Sequence, residues 1–237
     1  MRAIAVFSGR FHPFHRGHKA SYDYLVRRYG AENVFVASTN TQAPLTSPFA
    51  FEEKKQMMIA LGIPANKIVQ VKNPYKADEI TSQFDPNKTA LVFAVSEKDA
   101  ERFSYTKKDG SPSYMQPLSD KIELQPLSKH AYVELAPTVK FTVAGQEIMS
   151  ATAIRQLYIN GDDNTRVKII ADLYGTFIPA MKKLFDRKLG LSEAAHVVLA
   201  GWSQQLFESA TASYRNLSKQ VAVIREKEAA AHNEFNI

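Results

Sequence analysis

The chain contains no cysteine, which removes disulfides, thiolate nucleophiles and thiolate metal sites together, so any metal must be held by oxygen or imidazole. That composition suits a reducing compartment. Long apolar runs are also missing. The stretch inside "MRAIAVFSGR" covers only about six residues, too short for a secretory core or a membrane span, so a cytoplasmic protein with no membrane partner is expected. Thirty Lys and Arg against 24 Asp and Glu leave a charge of +6, yet no block of like charges concentrates it. Small phosphorylated ligands are therefore expected as partners, and nucleic acid is not. Tryptophan occurs once, at Trp202.

What is present is length and alternation. At 237 residues and 45% hydrophobic content, the chain can bury a sizeable core. Apolar runs alternate with helical patterns: "AIAVFS" (3–8) as a strand, "GHKASYDYLVRRYG" (17–30) as a helix closed by Gly30, and "NVFVAS" (33–38) as a strand. The rhythm repeats with a helix over 51–62, a strand over 67–71, a helix over 77–84 and a buried strand over 89–96. Residues 104–130 read as a long irregular connection. Strands over 131–135 and 140–144 and helices over 150–159, 164–174 and 177–187 follow. The fold class is α/β, a doubly wound Rossmann-like parallel sheet with a C-terminal helical extension, and ligands belong at the carboxyl ends of its strands.

Two domains are expected, an α/β domain over 1–187 and a long amphipathic helix with tail over 188–237. From Ser192, a candidate N-cap, the bulky positions Val198, Trp202, Leu206, Ala210, Tyr214, Leu217, Val221 and Ile224 repeat at spacings of four and three. Such a stripe packs on its parent domain or serves a homo-oligomer or a protein partner.

"GRFHPFHRGH" (9–18) carries chemistry at the handover from strand to helix. Glycines at 9 and 17 let a ligand approach the backbone, and the first N–H groups of the helix are unpaired there and attract anions. His15 and His18, three apart, can serve one surface. A metal site would need partners that His130, His196 and His232 do not provide by spacing, and a phosphohistidine would leave the glycines unexplained. Electrostatic stabilisation of a phosphoryl group in transfer uses all of these features. A second candidate cradle is "MSATAIR" (149–155). Ser150 can cap a helix, Thr152 adds a hydroxyl, and Arg155 lies one turn in with a planar fork of donors.

These two stretches resemble the G-x-F-x-P-x-H-x-G-H and I-S-x-T-x-I-R motifs of the nucleotidyltransferase superfamily of adenylyl- and cytidylyltransferases. The G-R-F-x-P-F-H form is most similar to the archaeal-type nicotinamide mononucleotide adenylyltransferases. "ASTNTQAPLTSPFAFEEKK" (37–55) resembles a further segment of that branch at Ser47, Pro48, Phe49, Glu53 and Lys54. The resemblance covers roughly residues 1–165 and does not reach the C-terminal helix.

The resemblance implies an enzyme that transfers AMP from ATP, carried with Mg²⁺, to a phosphorylated small-molecule acceptor, with nicotinamide mononucleotide foremost, and releases pyrophosphate. It implies catalytic roles for His15, His18 and Arg155. Nucleotide contacts would come from Gly9, Arg10, Phe11, Gly17, Lys54, Ser150 and Thr152, and acceptor contacts from Ser96, Asp99, Phe103 and Tyr105, with Tyr114 a further aromatic candidate. One departure is the missing tryptophan of the archaeal-type nicotinamide site, since Trp202 lies in the added helix. Pantetheine phosphate as acceptor, cytidylyl transfer, or a nucleotidyltransferase-like scaffold that docks a partner through its C-terminal helix are the alternatives.

Overall fold

In a computed structural model of the chain, the structure describes residues 1–119, 122–137, 139, 142–147 and 150–191. The expected helix from Ser192 to Ile224 lies outside the described residues. The compact unit spans Met1–Leu189.

Its centre is a six-stranded sheet in the order β3-β2-β1-β4-β6-β5, with every pair parallel. The strands are β1 (Arg2–Ser8), β2 (Val34–Ser38), β3 (Ile68–Gln70), β4 (Thr89–Val95), β5 (Met115–Pro117) and β6 (Ala131–Leu135). β2 and β4 are buried along their whole length. That is why they read as unbroken apolar runs, as strands covered on both faces do. Alternate residues build one layer of core from Ile4, Val6, Phe35, Ala37, Leu91, Phe93 and Ala131, closed by Ile80 of α3 (Asp78–Thr81). The intervening residues Ala5, Val36 and Val92 are fully buried as well, as the two-residue side-chain period requires.

The chain lays β2 and β3 to one side of β1 and then places β4 on its other side. The gap between β1 and β4 is therefore the topological switch point, and the crevice at the carboxyl ends of these strands is where an open α/β sheet binds ligands. Helix α1 (Arg16–Tyr29) enters from that crevice. It ends at Gly30, whose φ of 83° takes the chain out of the helix while its N–H still reaches Val26 O at 2.9 Å.

Four expectations are corrected. The helix over 77–84 shrinks to Asp78–Thr81, because Ala77 sits in a left-handed conformation and Pro86 lies close behind. The connection over 104–130 contains β5, a three-residue edge strand ending on a proline, too short to show periodicity. The strand over 140–144 is not part of the sheet. Its described part, β7 (Thr142–Val143), folds against β8 (Gln146–Glu147) as a separate hairpin. Ala144 and Gly145 turn it with φ of 49° and 83°, the doubly positive geometry of a two-residue hairpin turn. The helix over 51–62 stops at Ala60 as α2 (Phe51–Ala60), followed by a turn at Gly62. Helices α4 (Glu97–Ala100), α5 (Ala151–Asn160), α6 (Asp163–Tyr174) and α7 (Pro179–Lys188) complete the unit.

Candidate active site

His15 is the N-cap of α1. Its extended backbone lets Nδ1 accept from the Gly17 N–H at 3.1 Å, while His18 Nδ1 accepts from the His15 N–H at 3.3 Å. This is a capping box built from two imidazoles in place of hydroxyl and carboxylate. A ring nitrogen that accepts a backbone N–H carries no proton, so each ring is neutral and bears its hydrogen on Nε2. Burial holds His15 well below the ordinary imidazole range, with the His18 and Arg16 charges adding to the effect, and burial alone pushes His18 down to about 4. The two rings stack at 3.8 Å between centroids. Phe11 packs edge-on to His18 at 5.1 Å and also touches Phe7 and Phe14. An aromatic wall thus keeps water from one side of the pair.

Ser150 caps α5 by accepting from the Ala153 N–H at 3.1 Å. One turn in, Arg155 is buried to 5% exposure and its guanidinium crosses to the early part of the chain. Nη1 donates to the His12 carbonyl at 2.5 Å, Nε to the Leu45 carbonyl at 2.6 Å and Nη2 to Thr152 Oγ1 at 3.2 Å. One side chain therefore joins the histidine turn, the loop after β2 and the start of α5.

These pieces line a single cavity of about 600 Å³ at the switch point, walled by the ends of β1 (Phe7, Ser8) and the residues following β4 and β6 (Ser96, Ala136). Among the described residues its charged lining is Arg10, Arg155 and one carboxylate, Asp99. With the positive ends of α1 and α5 beside it, the cleft is built for an anion at one end. Asp99 lies in the first turn of α4 and also lines the cleft, its carboxylate accepting from the Ser96 hydroxyl at 2.9 Å. A second hollow of about 750 Å³, lined by Arg28, Glu97, Glu101 and Glu134 among others, is not lined by His15, His18, Ser150, Thr152 or Arg155.

The cytidylyltransferase-like family model matches residues 6–157, a span that begins in β1 and ends in α5 and so contains both helix starts. The chain belongs to the cytidylyltransferase-like family. It thereby falls within the nucleotidyltransferase superfamily. No curated protein matches the chain. Among solved structures it is similar to a bifunctional NMN adenylyltransferase/ADP ribose pyrophosphatase from Francisella tularensis, with 18% identity and a TM-score of 0.51 over 89% of this chain and 56% of that one. This family member thus spans little more than half the length of the Francisella protein. It is also similar to the Plasmodium falciparum nicotinic acid mononucleotide adenylyltransferase complexed with NaAD, with 14% identity and a TM-score of 0.47 over 81% of this chain and 97% of that one. At such identities the likeness concerns the fold.

In this cytidylyltransferase-like chain the cleft brings together Gly9, Arg10, Phe11, His15, Gly17, His18, Ser96, Asp99, Ser150, Thr152 and Arg155. Four other expected site residues stand elsewhere. Phe103 packs edge-on against Tyr75 at 5.2 Å, and Tyr105 lines the second hollow. Tyr114, half exposed, donates to the Leu127 carbonyl. Lys54 is fully buried and outside the cleft lining. Phe7 and Phe11 are among the residues that line the cleft. Leu45, Thr46, Ala136 and Pro137 line it unexpectedly. For Ala136 and Pro137 the sequence held a usable signal, since both follow the carboxyl end of a strand beside the switch point.

Among the described residues no helix is long and apolar enough to cross a membrane.

Proposed function

We propose that the protein transfers AMP from ATP to a phosphorylated small-molecule acceptor, nicotinamide mononucleotide foremost, releasing pyrophosphate. A phosphate oxygen of the acceptor attacks the α-phosphorus, the bond to the β-phosphate bridging oxygen breaks, and no enzyme-bound intermediate forms. Both reactants are anions, so the protein's task is to hold them in line and to neutralise the charge that develops on the α-phosphoryl oxygens and the leaving group.

The observation that carries this reading is the stacked pair of imidazoles at the start of α1, each with Nδ1 accepting a backbone N–H, lining the same cavity as the start of α5. His15 and His18 donate to the phosphoryl oxygens in transfer. Ser150, Thr152 and Arg155 receive the β- and γ-phosphates. Gly9 and Gly17 keep side chains out of the path of the nucleotide, and Arg10 adds charge at the rim. Mg²⁺ arrives with ATP as part of the substrate. Asp99 is the one carboxylate lining the cleft, and no group of three His, Asp or Glu able to hold an ion occurs among the described residues, so the phosphates supply most of its ligands.

ATP is favoured over CTP because the R-T-x-G-I-S-T-T form of the cytidylyltransferase motif is absent, the segment reading "AGQEIMSATAIR". The acceptor's flat ring has Phe7 and Phe11 within the cleft for contact and Asp99 with Ser96 for its hydroxyl or amide hydrogens. Residues 1–187 would suffice for this chemistry, with 188–237 as a separate module for self-association or a partner.

The test crosses ATP and CTP with nicotinamide mononucleotide, pantetheine phosphate, FMN and glycerol phosphate and follows pyrophosphate. Release with ATP and nicotinamide mononucleotide is expected, falling about 10²–10³-fold in His18→Ala. Silence with every pair would refute the proposal.

A further inference from the structure

Lys54 sits on α2 with its side chain entirely out of solvent. Its ammonium donates to the Thr39 carbonyl at 2.6 Å, Ser38 Oγ at 2.7 Å and the Arg10 carbonyl at 3.2 Å, and Ser38 Oγ donates onward to the Gly9 carbonyl at 2.9 Å. One cation thus draws together the segments leaving β1 and β2 where they form the wall of the cleft.

No acceptor in that set is a carboxylate. A buried ammonium without a counter-charge is costly, and folded proteins ordinarily place an acid against it. The acid next to it on the same helix is committed elsewhere. Glu53 accepts from the Ala50 N–H at 2.8 Å and pairs with Arg187 at 3.1 Å and Lys188 at 2.9 Å on α7. Among the described residues, the charges that act on the adjoining His12 turn are cations. Buried His12 is held neutral first by desolvation and then by Lys54, Arg155 and Arg10, which pushes its imidazole down to about 3. Three cations therefore act on His12, and among the described residues lining the cleft the one carboxylate is Asp99. Burial alone pushes the Lys54 ammonium down to about 8.

We infer that Lys54 is a positioning residue whose counter-charge is the triphosphate of the bound nucleotide: it fixes the Gly9–Arg10 and Thr39 backbone from behind, and its field reaches the phosphates without contact. This rests on the reading that the cleft takes a nucleoside triphosphate. The charge is uncompensated in the empty protein and becomes paired when the anion arrives, so its electrostatic gain is reserved for the complex.

The experiment is calorimetric titration of wild type and Lys54→Met with α,β-methylene ATP, which cannot transfer its nucleotidyl group, and with adenosine as the uncharged reference. The expected result is about a tenfold or greater loss of affinity for the triphosphate in Lys54→Met, with adenosine changed less than twofold. Equal losses for both ligands would mean a merely structural lysine, and unchanged triphosphate affinity would mean no electrostatic role. Either outcome overturns the inference while leaving the nucleotide site standing. Failure of wild type to bind α,β-methylene ATP would overturn both. Should Lys54→Met not fold, wild type alone decides. Because burial lowers the Lys54 ammonium toward the working pH, triphosphate binding to wild type at pH 8.5, measured in buffers of different ionisation heat, should take up more protons than adenosine binding does. No excess uptake refutes the inference.

Discussion

Replacing Arg155 by alanine tests the joint on which the site is built. The guanidinium is the donor to the His12 carbonyl at 2.5 Å and to the Leu45 carbonyl at 2.6 Å. Leu45 is itself held at a φ of 61°, in the left-handed region where a branched side chain is disfavoured, at a typical cost of about 1–3 kcal/mol. Its turn is closed by the Ala43–Ser47 bridge, and Arg155 pins its tip. The Arg155→Ala variant leaves two carbonyls without their charged donor, each loss worth about 1–3 kcal/mol, so a fall in unfolding free energy of about 2–6 kcal/mol is expected. Arg155→Lys keeps the charge but cannot span three acceptors with one ammonium and should recover less than half of the loss. Urea unfolding followed by circular dichroism measures both, with the slope checking that the native state is unchanged. Pyrophosphate release measures the functional share. An Arg155→Ala protein that unfolds at the wild-type urea midpoint would refute the tether. One that is destabilised yet fully active would make Arg155 structural alone.

Two further outcomes are expected. His12 and His18 bind protons less well folded, at about 3 and about 4, than unfolded, near 6.5, so the unfolded state is favoured as pH falls through 6.5. Each should cost about 2 kcal/mol at pH 5 and nothing above pH 7.5, and the urea midpoint of His18→Asn should drop less steeply between pH 7 and 5 than that of wild type. Gly9→Ala places a methyl 2.5 Å from the tip of the Phe11 ring, which must yield. A loss of about 1–3 kcal/mol and a fall in kcat/KM are expected as Phe11 is displaced from His18, checked by thermal unfolding and steady-state kinetics.

How much of this was legible depends on the range of the interaction. β1, α1, β2 and β4 could be read because their signals are local: unbroken apolar runs, a helical period and a closing glycine. The histidine cap was readable as an anion-attracting helix start, but the stacking of its rings and their neutral tautomers needed the cap geometry. β5 was hidden because a three-residue edge strand has too few turns of its two-residue period to stand out from Ser, Pro and Lys around it. The contact between Arg155 and His12 spans 143 residues, and no local pattern encodes it. Lys54 is the instructive case. Read as part of "EEKK" it is a solvated cation, yet α2 buries Phe51, Lys54, Met57 and Met58 together. Its spacing of three from Phe51 and Met57 places it on the apolar stripe, and that conflict between residue type and periodicity was present in the sequence.

The division of labour in the cleft follows from one electrostatic constraint. The proposed transfer brings two anions together, which calls for positive charge, but every added buried cation repels those already present and raises the cost of the empty fold. Arg10, Lys54 and Arg155 already act together on His12 strongly enough to help hold it neutral. Further donors near the reacting phosphorus are affordable only if they carry no charge. Imidazoles kept neutral by burial, with Nδ1 occupied by the backbone, meet that requirement and present Nε2–H in a fixed direction. Fixed charge is thus supplied from the wall and the helix ends, hydrogen bonds from neutral rings, and among the described residues Asp99 is the carboxylate that lines the cleft.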